Sequence, residues 1–247
     1  MSNKIEDMKG MFQPNGLFGE KMNAPAMSSS MYPICVSGLN LPWAEVLDFG
    51  ESQIFKQGDT IPTTRDSAQY FYYLRKGCIH TWYEDDQGEA FPNLYMKDGM
   101  LFNEMICFSG IHKNDFIISI EDSEVTRFDK NKLFTREFCQ NYYYLLLNAA
   151  CSISRKGLIL SEFKNSNTKL EIINQISRII YTLSVDKDEY THIKITQNCM
   201  AKMLRVHRSS ITRVIKELKK MGIISKATSR EITINDFNAL KKLAVGM

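Results

Sequence analysis

The stretch Ile195–Ser225, ITQNCMAKMLRVHRSSITRVIKELKKMGIIS, constrains this chain more than any other. Apolar Met200, Met203 and Leu204 recur at helical spacing, and Ile211, Val214, Ile215 and Leu218 form a second such run. Thr196 is placed to cap the first helix, and His207-Arg208-Ser209-Ser210 opens the second. Only Arg205-Val206-His207 separate the two runs, which suits the tight corner of a helix-turn-helix. The exposed side of the second helix carries Arg208, Ser209, Thr212, Arg213, Lys216, Lys219 and Lys220. A core helix needs no such face. A helix lying in a DNA major groove does, because Arg pairs with guanine edges, Ser and Thr with several groups, and Lys with phosphates. The plainer alternative is a surface helix with a solvated basic side.

Charge is distributed to match. Residues 165–247 hold 15 Lys and Arg against 7 Asp and Glu, a balance of +8, whereas residues 1–164 hold 16 against 21, a balance of −5. A basic rear third on an acidic remainder points to nucleic acid contact through the C-terminal part alone. No apolar run approaches the roughly 18 residues a membrane helix needs, and no signal-peptide pattern opens the chain, so a cytoplasmic protein with no membrane partner is expected. The six cysteines, Cys35, Cys78, Cys107, Cys139, Cys151 and Cys199, form no C-x-x-C pair, and scattered cysteines of this kind are expected reduced and buried. Cys78-Ile79-His80 offers two ligands on one strand face, too few for a metal site, and no metal is expected.

Residues 1–42, rich in Met, Ser, Asn, Gly and Pro, read as an irregular arm. From 43 the character changes. Strand-like segments Tyr70 to Leu74, Cys78 to Tyr83, Ala90 to Met96 and Phe116 to Ile120 alternate with turn signals at Gly58, Gly77, Gly88 and Gly99, the pattern of a sandwich or barrel. Residues 136–164 read as one long helix. Tyr142, Leu146, Ala149, Ile153, Lys156, Leu160 and Phe163 form a heptad seam, which predicts pairing with a second copy in a homodimer. Lys156 interrupts that seam and needs either an anion or a route to water. Residues 164–168 break the periodicity and are a candidate hinge. Residues 169–184 read as an amphipathic helix, Asp186 to Tyr190 as a polar turn, and Ile223–Ser225 with Glu231–Ile234 as a two-stranded wing around Thr228-Ser229. A closing helix at 235–243 is capped by Asn235 or Asp236.

Ile195-Thr196, Arg208 with Arg213, and Leu218-x-x-x-Gly222-Ile223-Ile224 together resemble the DNA-binding domain of the cyclic-AMP receptor protein/FNR family of bacterial regulators. The glycines at 58, 77, 88 and 99 resemble the jelly-roll effector domain of the same family. The resemblance implies an α+β chain of four parts: the arm (1–42), a jelly-roll β-barrel sensor (43–135), a long dimerisation helix (136–164) and a winged helix-turn-helix (165–247). One departure is Arg205, where the family usually has a corner glycine; a non-glycine residue is strained in left-handed backbone.

The resemblance also implies an effector. Family members that hold cyclic AMP use a loop opening Gly-x-x-x-Gly-Glu and closing Arg-Ser, the Arg neutralising the phosphate. Here Glu104 matches, but 109–115 contains no Arg-Ser pair, so no cyclic nucleotide is expected. An FNR-type iron–sulfur cluster needs clustered N-terminal cysteines, and only Cys35 lies early, so no such cluster is expected either. Met100, Leu101, Phe102, Met105 and Phe108 suit an apolar or aromatic ligand instead. The chain is similar to the halorespiration (CprK-type) regulators, in which a Lys of the long helix and a Tyr before the pocket loop contact a chlorinated phenolate. The matching residues are Lys156 and Tyr95, and the implied effector site is Tyr95, Phe102, Glu104, Met105, Ile153 and Lys156.

The DNA-binding residues implied are Gln197, His207, Arg208, Ser209, Ser210, Thr212, Arg213 and Lys216, engaging a palindromic promoter site in double-stranded DNA. RNA polymerase is a further candidate partner. Ser209 stands where most of the family reads a C·G pair with Glu, so the half-site is expected to differ. A cysteine-based redox regulator is the alternative, and an enzyme working in the barrel is a third; no nucleophile motif, metal cluster or phosphate-gripping loop supports the latter.

Overall fold

The computed structural model describes residues 35–62, 68–85, 87–111, 115–167, 170–184, 192–228 and 231–245. The arm up to residue 34, the polar turn Asp186 to Tyr190 and Ser229 of the wing lie outside them. The chain divides into two compact units. The described residues of the first fall within 36–80 and 95–157; those of the second are Cys35 and residues within 81–94 and 158–245.

A 3₁₀ stretch, Leu41–Phe49, opens the first unit after the short strand β1 (Cys35–Val36). Then follow β2 (Glu51–Phe55), β3 (Thr60–Ile61), β4 (Tyr70–Lys76), β5 (Cys78–Glu84), β6 (Ala90–Lys97) and β7 (Met100–Phe102). A six-residue helix α1 (Glu104–Ser109) precedes β8 (Asp115–Ser119) and β9 (Ser123–Asp129). The strands form two sheets, ordered β1-β6-β5-β8-β3 and β2-β9-β4-β7, with antiparallel pairing such as Tyr73 opposite Thr126. Strand β9 binds both β2 and β4, yet it lacks an apolar run. Glu124, Arg127 and Asp129 interrupt its buried residues, which a search for apolar segments passes over. Gly77 is a position where glycine is obligatory. Its φ is +109°, and a Cβ there would lie 2.4 Å from Ser123 Oγ and 2.8 Å from the Asp122 carbonyl oxygen.

Trp43, Phe71 and Phe128 sit fully buried at the centre, Trp43 edge-on to Phe71 at 5.3 Å. The predicted single helix over 136–164 is corrected here. After α2 (Lys130–Leu133), Thr135 caps a separate α3 (Arg136–Asn141), which stops at Tyr142, and α4 runs from Tyr143 to Asn167. The break lets Phe138 and Leu145 enter the same core as Trp43 and Leu133. Because α4 continues to Asn167, residues 164–167 are helical rather than a hinge, and Thr168 lies outside the described residues. Two positions of the heptad reading, Ala149 and Lys156, are corrected, because the fold buries them within one chain. The buried positions of α4, Leu145, Asn148, Ala149, Ser152 and Lys156, turn toward the sheets, while Leu146 and Ile153 are half-buried and Tyr142 precedes the helix. Residue 156 therefore does not interrupt a seam.

The second unit holds α5 (Ile172–Ser184), β10 (His192–Ile193), α6 (Gln197–Leu204), α7 (Arg208–Lys220), β11 (Ile224–Ala227), β12 (Ile232–Ile234) and α8 (Phe237–Val245). Ile176, Ile179 and Ile180 of α5, Met200 of α6, Ile211 and Leu218 of α7, and Leu240 of α8 supply its buried apolar residues. The wing gains a third strand: β10 pairs with β12, giving the order β10-β12-β11. The closing helix starts at Phe237, with the Asp236 carboxylate accepting from Ala239 N–H at 2.9 Å.

Candidate functional site

The helix-turn-helix is built as its sequence demands. Thr196 Oγ1 accepts from the Cys199 N–H at the start of α6, and His207 Nδ1 accepts from the Ser209 N–H at the start of α7. Ile211, Val214, Ile215 and Leu218 bury one side of α7; Arg208, Ser209, Arg213, Lys216, Lys219 and Lys220 lie exposed on the other. Helix α7 thus presents five cations and the exposed Glu217 on a solvent face, and the backbone N–H groups of its first turn add to the positive field.

Four of the predicted DNA-contact residues have partners within the fold. Thr212 Oγ1 lies 2.9 Å from Gln197 Oε1 and donates across to α6, locking the two helices at their crossing. His207 Nδ1 lies 2.7 Å from Ser209 Oγ, so cap and hydroxyl restrain one another. His207, Thr212 and Gln197 therefore hold the geometry of the motif, whereas Arg208, Arg213 and Lys216 face solvent. Ser210 is half-buried. At the corner, Arg205 adopts φ 53° and ψ 44°, the left-handed backbone that glycine usually occupies.

The predicted effector residues meet in part. Lys156, 2% exposed, donates to Glu104 Oε1 and to the Leu101 carbonyl, both at 2.6 Å. Glu104 is itself 1% exposed, so this is a buried, charge-assisted pair that uses two of the three ammonium donors. Asn103, in left-handed backbone at φ 62°, aims α1 so that its first residue reaches Lys156. Phe102 stacks on Tyr72 at 4.9 Å, and Tyr95 stacks on His80 at 3.7 Å. Burial lowers the His80 imidazole to about 3, so it is neutral at physiological pH. Met105 is a correction: it is 45% exposed on the outer side of α1, because Glu104 and Cys107 take that helix's buried side. Ile153 lies on α4 between Ser152 and Lys156 but is only half-buried.

Residue reading missed one feature that organises this region. Asn148, Ser152 and Lys156 recur every fourth residue and form a buried polar stripe along α4. Asn40 Nδ2 donates to Asn148 Oδ1 at 2.8 Å, while Asn40 Oδ1 accepts from both Ser152 Oγ and the Leu101 N–H at 2.9 Å. The four-residue recurrence of polar side chains was the available signal. Burial pushes the Cys107 thiol up to about 11, keeping it protonated and unreactive at neutral pH. Among the described residues no group of His, Cys, Asp and Glu is arranged to hold a metal, and no helix is long and apolar enough to cross a membrane.

Two family models match these two regions: residues 52–142 match the Cyclic nucleotide-binding domain and residues 174–243 the Crp-like helix-turn-helix domain. Together they make up the domain pair of the cyclic-AMP receptor protein/FNR family, to which the chain is similar over both regions. Among curated relatives, the cAMP-activated global transcriptional regulator CRP of Escherichia coli is 22% identical over 65% of this chain and 78% of its own length. The cAMP-activated global transcriptional regulator Vfr of Pseudomonas aeruginosa is 22% identical over 67% of this chain and 80% of its own. Two solved structures share the fold. The c-di-GMP responsive global regulator CLP of Xanthomonas campestris has a TM-score of 0.67 at 15% identity, covering 78% of this chain and 98% of its own. CprK complexed with OCPA has a TM-score of 0.62 at 15% identity, covering 87% and 98%. With these matches the chain is a DNA-binding transcriptional regulator and not an enzyme.

Proposed function

We propose that the protein works as a homodimer whose two α7 helices enter successive major grooves of a palindromic promoter site, under control of a small aromatic, anionic effector. Arg208 and Arg213 are the base- or phosphate-contacting cations, Ser209 reads a base, and Lys216 neutralises a phosphate. The recognition helices then lie roughly 34 Å apart. The regulator acts in the cytoplasm, where the promoter and RNA polymerase are.

The observation that carries the effector reading is Lys156, a buried cation whose only charged partner among the described residues is Glu104. A phenolate with electron-withdrawing chlorines ionises near neutral pH and can take the place of the Glu104 carboxylate at that ammonium. Phe102 and Tyr95 supply aromatic surface nearby in sequence and strand order. A cyclic nucleotide fits less well, because Lys156 already has an internal anion and 99–115 supplies no arginine for the phosphate. One structural neighbour is complexed with OCPA and another is described as c-di-GMP responsive, so they favour no ligand class by themselves.

Calorimetric titration of the protein with chlorinated phenols and with cyclic AMP is the test, alongside a Lys156→Met/Glu104→Gln variant that removes both charges. Binding of a chlorinated phenol by the natural protein and its loss in the variant are expected. Undiminished binding by the variant removes Lys156 from the site, and tight binding of cyclic AMP overturns the ligand class. For the DNA side, Arg213→Ala is expected to weaken operator binding by about 1–3 kcal/mol. Unchanged binding refutes that contact.

A further inference from the structure

The corner residue that departs from the family pattern is not idle. Arg205 occupies left-handed backbone where glycine is unstrained, and its guanidinium lies 5.2 Å from the centre of the Phe91 ring while donating to Tyr83 Oη at 3.0 Å. Tyr83 and Phe91 are themselves stacked across the β5–β6 hairpin at 5.5 Å, so one guanidinium holds both strands. Three residues earlier, Lys202 Nζ donates to the Ala90 carbonyl at 3.0 Å and lies 3.5 Å from Glu89. Residues 81–94 accordingly belong to the same compact unit as α6 and α7.

The hairpin turn that these contacts hold is acidic, with Glu84, Asp85 and Glu89 in it. The segment it is held against is the corner that leads into the basic helix: Val206 and the capping His207 separate Arg205 from Arg208, the first residue of α7. A row of carboxylates at the mouth of a phosphate-binding face lowers its affinity for duplex through like-charge repulsion.

We propose that Arg205 is a positioning residue which latches the β5–β6 hairpin onto the helix-turn-helix corner, holding an acidic turn beside the recognition helix so that DNA binding is opposed until the latch opens. The inference rests on α7 being the DNA-contacting helix, and it is independent of what the effector is. It also accounts for an arginine in a backbone conformation that favours glycine: the side chain is retained for its contacts with Tyr83 and Phe91.

Arg205→Gly is the informative variant, because it relieves the backbone while deleting the guanidinium; Tyr83→Phe removes one hydrogen bond and leaves the ring stack. Amide hydrogen exchange over 82–91 reads the latch without DNA, and titration of a promoter fragment with effector-free protein reads its consequence. Several-fold faster exchange in the hairpin and about tenfold tighter DNA association are expected for Arg205→Gly, with a smaller change of the same sign for Tyr83→Phe. Unchanged hairpin exchange in Arg205→Gly overturns the latch. Faster exchange with unchanged or weaker DNA association overturns its opposing role. Should neither the natural protein nor any variant associate with duplex in a salt-sensitive way, the assignment of α7 fails, while the exchange experiment still decides whether the latch exists.

Discussion

Lys156 and Glu104 show how much a single buried pair commits a structure. Each is 2% exposed at the side chain, and each is tolerable only because the other is there. Lys156→Met strands a buried carboxylate and is expected to cost about 3–5 kcal/mol, whereas the double variant Lys156→Met/Glu104→Gln recovers most of that loss. Urea denaturation midpoints of the two proteins check this, and equal losses would show the pair to be no unit. His80 carries a second prediction, about pH. Its pKa falls from 6.5 to about 3 on folding, so between those values the unfolded chain binds a proton that the folded chain refuses. The stability is fully present above pH 6.5 and is lost as pH falls toward 3, by about 1.4 kcal/mol per pH unit. His80→Phe keeps a ring against Tyr95 and removes that slope. Between pH 7 and pH 4.5 the natural protein is therefore expected to lose roughly 2–3 kcal/mol more denaturation free energy than the variant. A difference near zero would mean the imidazole is protonated in the folded state.

Among the elements, α7 is the one whose formation the chain specifies most locally. Its cap, apolar stripe and basic face all lie within Arg205–Lys220, so contiguous residues sufficed to read it. Because His207 accepts the Ser209 N–H, His207→Ala is expected to destabilise the second unit by about 0.5–1 kcal/mol. Thermal denaturation measures this, and an unchanged midpoint would relieve His207 of the capping role. Helix α4 was less legible. A step of four and three residues fits both a seam between two copies and a stripe against a sheet, and Asn148 and Ser152 fall outside any apolar count. Only their partners, Asn40 and Leu101, each brought from a distant part of the chain, reveal which side of the helix is covered. The break at Tyr142 was hidden for a related reason: nothing in local propensity ends the helix, and the demand that Phe138 and Leu145 share one core does.

At the scale of the whole molecule, charge is segregated: −5 over residues 1–164 and +8 over 165–247. Duplex binding should therefore lose affinity steeply with salt, by about a thousandfold or more between 50 and 200 mM if the dimer engages six or more phosphates. Lys216→Ala should make the log–log salt slope shallower by about one for each phosphate it leaves without a cation. Neutralising Arg75, an exposed cation paired with Glu124 on β9, should leave the slope unchanged. Fluorescence anisotropy over a salt series tests both, and an equal effect from the two substitutions would mean that diffuse charge rather than α7 binds the duplex.

The amino-acid sequence by itself determined the helix-turn-helix, most of the strands, the charge asymmetry and the family resemblance, because each is written in neighbouring residues: a periodicity, a cap, a turn glycine, a run of one sign. Which anion answers Lys156, which side of α4 is buried, where Met105 points and what Arg205 holds were decided only by tertiary structure. Each of those depends on a partner tens of residues away, and the pairing is set by burial and hydrogen-bond satisfaction across the fold, which no local pattern contains.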